Sequence, residues 1–186
     1  GIAMNQAKES GRNALRFYDA AMNDKVLQNL RLVSDMRIAL SRNEFVLHYQ
    51  PVMDLATGRL VGAEALVRWQ HPETGLVPPM QFIPAAEKSG LIVELGAWVL
   101  EEACRQLVEW QTLGCEDFVM AVNLSTVQFR RGDIDKVVED ALKRTGLAPA
   151  CLELEITEST LIQDTEKFIE SLQRLKALGV KISIDD

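Results

Sequence analysis

Three runs decide the fold: Phe118-Val119-Met120-Ala121-Val122-Asn123, then Leu152-Glu153-Leu154-Glu155-Ile156, then Val180-Lys181-Ile182-Ser183-Ile184-Asp185. Each is short, dominated by aliphatic residues, and reads as a strand. Between them lie two segments of helical periodicity, Asp133 to Thr145 ended by Gly146 and Asp164 to Leu178 ended by Gly179. Strand and helix in alternation, joined by right-handed crossovers, predict an α/β fold whose parallel strands are sheathed by helices.

Working upstream, Leu91 to Leu113 carries the apolar stripe Leu95, Val99, Ala103, Leu107 and Trp110, closed by Gly114, and reads as a helix. A loop rich in proline (Pro72, Pro78, Pro79, Pro84) precedes it. Before that loop, Phe45 to Gln50 and Leu60 to Trp69 read as strands joined through a hairpin turn at Ala56-Thr57-Gly58. From Asp19 to about Ser41, the residues Met22, Val26, Leu30, Val33, Ile38 and Leu40 recur at near-helical spacing. They predict one linker helix over 19–42, either packed on its own domain or engaged in a signalling coiled coil. Residues 1–18, with a Gly11-Arg12-Asn13 turn and an apolar piece from Leu15 to Tyr18, read as the last helix and strand of a unit begun upstream.

Composition narrows the function classes. The 186 residues carry 20 Lys and Arg against 27 Asp and Glu, a net charge of −7 that argues against a nucleic-acid polymer as partner. Cys104, Cys115 and Cys151 are odd in number and form no CxxC pair, so neither a disulfide framework nor a zinc cluster is expected, and a cytoplasmic setting fits. No apolar run reaches the ~18 residues of a membrane span, and no signal peptide is recognised, although a parent protein could be anchored through upstream segments.

The chemistry lies where strands stop. Glu64 stands in the long second strand, Asn123 closes the next, Glu155 the next, and Asp185 with Asp186 the last, at intervals of 59, 32 and 30 residues. The last two intervals each fit one strand-helix unit. Consecutive strands therefore deliver oxygen ligands to one rim, where parallel α/β folds build their sites. A single acid at a strand end is usually a helix cap or a surface residue. Several on one rim repel one another, which makes physical sense if a divalent cation compensates them. An all-oxygen set without His or Cys favours Mg²⁺ or Mn²⁺ over zinc, and adjacent Asp185 and Asp186 could serve two ions. Arg68, four residues after Glu64 on the same strand face, suits a phosphate or an ordinary salt bridge. Gln50 ends the first strand near the same mouth and could meet a nucleobase edge or cap a loop.

Taken as strings, these residues resemble the EAL domain of bacterial cyclic-di-GMP phosphodiesterases. The resemblance runs through Tyr49-Gln50-Pro51, Glu64-Ala65-Leu66-x-Arg68, Gly75-Leu76-Val77-Pro78-Pro79, Phe82-Ile83-Pro84-x-Ala86-Glu87-x-Ser89-Gly90, Val122-Asn123-Leu124-Ser125, Glu155-Ile156-Thr157-Glu158-Ser159 and Ile184-Asp185-Asp186. It implies a TIM-like (β/α) barrel that hydrolyses one phosphodiester of cyclic di-GMP to linear pGpG with Mg²⁺ or Mn²⁺. By position it makes Glu64, Asn123, Glu155 and Asp185 metal ligands and assigns Asp186 to the second metal. Gln50, Leu66 and Arg68 match substrate contacts, and Glu158 matches the residue that braces the loop after the paired aspartates. Residues 1–18, through Ala3-Met4, Gln6-Ala7-Lys8 and Gly11-Arg12-Asn13, resemble the closing stretch of a GGDEF domain, with Asn5 in place of its usual tyrosine.

The match covers 43–186, the N-terminal part of an EAL domain, where a barrel takes about 250 residues. The family's later lysine and general-base glutamate cannot be placed. The expectation is an incomplete barrel, inactive by itself, with its open edge covered by a second copy or a partner, and a homodimer as the assembly. A receptor module that binds cyclic di-GMP without cleaving it is the alternative.

Overall fold

The computed structural model describes residues 11–163 and 165–185, with side chains from Ala20 onward. Residues 1–10, part of the 1–18 stretch expected to close a GGDEF domain, lie outside the described residues, as do Asp164 and Asp186. Helix α1 (Gly11–Ser41) leads into β1 (Phe45–Met53), β2 (Leu60–His71) and the short β3 (Gly75–Val77). Then come α2 (Pro79–Ser89), α3 (Ile92–Thr112), β4 (Val119–Asn123), α4 (Thr126–Arg131) and α5 (Ile134–Thr145). A 3-10 turn at Pro149–Cys151 precedes β5 (Leu152–Thr157), α6 (Glu158–Leu161), α7 (Glu166–Leu178) and β6 (Lys181–Asp185).

Among the described residues the strands form one sheet in the order β1-β2-β4-β5-β6, with β3 paired to β2. β1 and β2 are antiparallel, and β2, β4, β5 and β6 are mutually parallel. This is the expected α/β alternation, TIM-like in its crossovers, with β1 and β6 outermost among the described strands. Successive side chains in a strand face opposite ways. Leu152, Leu154 and Ile156 of β5, with Met120 and Val122 of β4, are therefore buried beneath the helices. Ala63, Ala65 and Trp69 of β2 join them, and Phe45 and Phe82 pack on Trp69 at centroid distances of 5.5 and 6.0 Å. Gly62 is required where β2 meets β4, because a Cβ there would collide with the Val119 carbonyl.

Two local readings are corrected. The proline-rich stretch holds a helix, α2: Pro79 occupies its first turn, where a missing N–H costs nothing. Pro84 removes one internal hydrogen bond, and the burial of Phe82, Ala85 and Ala86 offsets that loss. The Gly11-Arg12-Asn13 turn and the Leu15–Tyr18 strand piece are also helical, part of the 31-residue α1. A glycine penalty of about 1 kcal/mol is too small to interrupt so long a helix. The last turns of α1 pack on its own domain, one of the two alternatives read from its periodicity. Met36 and Ala39 enter the core, while Met22, Val26, Leu27 and Leu30 remain exposed.

Candidate active site

Pairing register places the strand-end residues. Gln50 lies directly opposite Glu64 on the β1–β2 ladder, and Glu64 is in register with Ala121. Asn123 is in register with Glu155 on β5, and Asp185 with Thr157. Even spacing along each strand keeps Glu64, Leu66, Arg68, Asn123, Glu155 and Asp185 on the face away from the helices. The register climbs toward the C-terminal ends of the strands from β2 to β6, as tilted barrel strands require.

Side-chain oxygens of Glu64, Glu155 and Asp185 lie within 4.8 Å of one another. Glu155 responds to this crowding: its carboxyl is pushed from 4.5 up to about 8, first by burial, then by a hydrogen bond with Glu64 and by repulsion from Glu64, Asp185 and Glu153. Among the described residues, no ion pair reaches any of the three carboxylates. An all-oxygen cluster that holds a proton for want of a countercharge fits a hard divalent cation.

Arg68 donates through Nη1 to the Val67 carbonyl at 2.9 Å and forms no ion pair among the described residues, so the salt-bridge alternative for it is not realised there. Leu66, Arg68, Asn123 and Thr157 border a largely apolar cavity of about 360 Å³ that reaches Ile83 and Glu87 of α2 and Leu95 of α3 and does not include Glu64, Glu155 or Asp185. Glu158 begins α6, is exposed, and follows Thr157, the register partner of Asp185. Asp186, and the loop after the paired aspartates that Glu158 is expected to brace, lie outside the described residues.

Sequence reasoning missed the group beneath this rim. Ser125 caps α4 in a capping box with Gln128, and its hydroxyl donates to Glu87 of α2 at 2.7 Å. The Ser125-x-x-Gln128 spacing was the available signal for the cap. The partner, 38 residues away, leaves no local trace.

Residues 33–186 match the EAL domain family. This chain belongs to that family. The EAL chain is 48% identical over 184 residues to the "Bifunctional diguanylate cyclase/cyclic di-GMP phosphodiesterase MucR" of Pseudomonas aeruginosa, a match covering 99% of this chain and 27% of that protein. It is 41% identical over 186 residues to "Cyclic di-GMP phosphodiesterase NbdA" of the same organism, covering 100% of this chain and 24% of that one. Among solved structures, the PaMucR phosphodiesterase in complex with c-di-GMP superposes with a TM-score of 0.79 at 49% identity, covering 84% of this chain and 63% of that one. The EAL match begins inside α1, just before Met36 and Ala39 enter the core. No described helix is long and apolar enough to cross a membrane.

Proposed function

We propose that this EAL domain hydrolyses one phosphodiester of cyclic di-GMP to pGpG, with Glu64, Asn123, Glu155 and Asp185 holding Mg²⁺ or Mn²⁺ and Asp186 serving a second ion. The observation that carries the reading is the convergence of three carboxylates within 4.8 Å without a described cationic partner. When bound, such ions supply positive charge to the phosphate and acidify water. Arg68 offers the phosphate two parallel N–H donors, while Gln50 and Leu66 orient the dinucleotide from the same sheet face. Glu158 braces the loop after the paired aspartates Asp185 and Asp186. The names of MucR and NbdA, and the cyclic-di-GMP complex of the former, support this choice of substrate.

The wider setting is proposed on separate grounds. Residues 1–18 close a GGDEF unit and 19–42 link it to the EAL part at 43–186, in keeping with a relative that is named as a cyclase as well as a phosphodiesterase. The three free cysteines favour a reducing cytoplasm. A homodimer through α1 is supported by Met22, Val26 and Leu30, which recur along the helix at 51%, 54% and 61% exposure.

Calorimetric titration with Mn²⁺ and with cyclic di-GMP reads binding on this chain, and chromatography of the products reads turnover on the same segment built into a closed barrel. Mn²⁺-dependent formation of pGpG is the expected result. Binding without product in the closed barrel would favour the receptor alternative, and absence of both would overturn the two readings together.

A further inference from the structure

We propose that Glu87 on α2 is a positioning residue: through Ser125 it fixes the Asn123 strand end and so raises the affinity of the carboxylate cluster for a divalent ion. This rests on the metal-binding reading above. Ser125 is held from three directions. Its hydroxyl donates to Glu87 Oε2 at 2.7 Å and accepts from the Val127 N–H at 3.2 Å, and its own N–H donates to Gln128 Oε1 at 2.8 Å. Gln128 is itself buried, and its amide occupies the space that a Cβ at Gly96 of α3 would take, so α3 cannot shift away from it without opening a void. One residue earlier, the Leu124 N–H donates to the Glu155 carbonyl at 2.9 Å.

The backbone from Asn123 to Ser125 is thus tied on one side to the strand that carries Glu155 and on the other to α2. An N-cap serine needs only its contact with the helix N–H groups. The carboxylate of Glu87 does something more: it accepts the hydrogen bond of the hydroxyl, so a lone pair of Ser125 is left aimed at Val127. A hydrogen bond to a carboxylate is shorter and stronger than a neutral one. The backbone that carries Asn123 is therefore held in place before an ion arrives, and ion binding need not supply that order. Groups that hold a ligand in place typically change metal affinity by about 10–100-fold when removed.

The test is Mn²⁺ titration of the purified chain, followed by calorimetry, with the metal-free melting temperature measured alongside. Glu87→Ala and Ser125→Ala are each expected to weaken Mn²⁺ binding about tenfold. The double variant should weaken it no further than either alone, and Glu87→Gln, which keeps an acceptor, should restore most of the loss. In an Asn123→Ala background, Glu87→Ala should have no added effect, because the residue it positions is gone. A merely structural role would lower the melting temperature and leave Mn²⁺ affinity unchanged, or would persist in full without Asn123; either result overturns the proposal. Should Glu87→Ala fail to fold, Ser125→Ala and Glu87→Gln carry the same comparison. If Glu64→Gln removes Mn²⁺ binding while Glu87→Ala does not, the positioning role alone fails. If the unaltered chain binds no Mn²⁺, the metal-binding reading fails and takes this inference with it.

Discussion

On β5, Leu152, Leu154 and Ile156 are buried beneath the helices, while Glu153, Glu155 and Thr157, each one step further along, face the other side of the sheet. The same alternation separates Met120 and Val122 from Asn123 on β4, and Ala63 and Ala65 from Glu64 on β2. One face gains stability by removing apolar surface from water. The other gathers carboxylates whose mutual repulsion opposes folding unless a cation joins them. Stability and chemistry are thus separated by a single residue step, and substitutions on the two faces should have different consequences.

The largest effect belongs to the polar face. Glu64→Gln, in a closed barrel, should abolish Mn²⁺-dependent formation of pGpG while leaving the metal-free melting temperature unchanged or slightly raised, since it removes one repelling charge. Unchanged turnover, measured by product chromatography, would take Glu64 out of the chemistry. Next comes the apolar face: Leu154→Ala, one position from Glu155 and 0% exposed, should cost ~2–5 kcal/mol in urea unfolding. A loss below about 1 kcal/mol would mean that the helix layer collapses onto the gap or packs loosely.

Proton linkage sharpens the contrast. In the metal-free protein, the folded Glu155 carboxyl keeps a proton up to about 8 that the unfolded chain releases near 4.5. Its contribution to stability is therefore complete below 4.5 and lost as pH rises to about 8. Melting temperatures across that window should fall with pH, Glu155→Gln should flatten the fall, and Mn²⁺ should reverse it. A profile that Glu155→Gln does not alter would contradict the crowding of these carboxylates. The smallest expected effect is chemical. Burial, with a lesser contribution from Glu101, pushes the Cys104 thiol up to about 12. Iodoacetamide at pH near 8 should label half-buried Cys115 and Cys151 well before Cys104, as mapped by mass spectrometry. Early labelling of Cys104 would show that the helix layer opens readily.

Much of this division was legible in the sequence. The Leu-Glu-Leu-Glu-Ile run of β5 states its two faces outright, and the intervals from Asn123 to Glu155 to Asp185 each match one strand-helix unit. The hairpin turn before β2 was equally plain, with Gly58 at φ 68°. Helix α2 was not, because proline signals breaks along a sequence and only tertiary burial of Phe82 and Ala86 shows that the break is overridden. The last helix starts at Glu166 because the Thr165 hydroxyl accepts from the Phe168 N–H at 3.2 Å, a cap that periodicity alone does not locate. In the site, residue types and strand ends could be read, but the bond from Ser125 to Glu87 could not, since it depends on how α2 docks against α4. Neither could the proton held by Glu155, which arises from distances between strands rather than from any one segment.

The most direct measurement is anomalous diffraction from crystals of this chain grown with Mn²⁺. The expected result is a Mn²⁺ peak within bonding distance of Glu64, Asn123, Glu155 and Asp185 that disappears in Glu64→Gln. A peak lodged elsewhere on the surface, with these side chains unligated, would contradict the assignment of the open sheet face to metal chemistry.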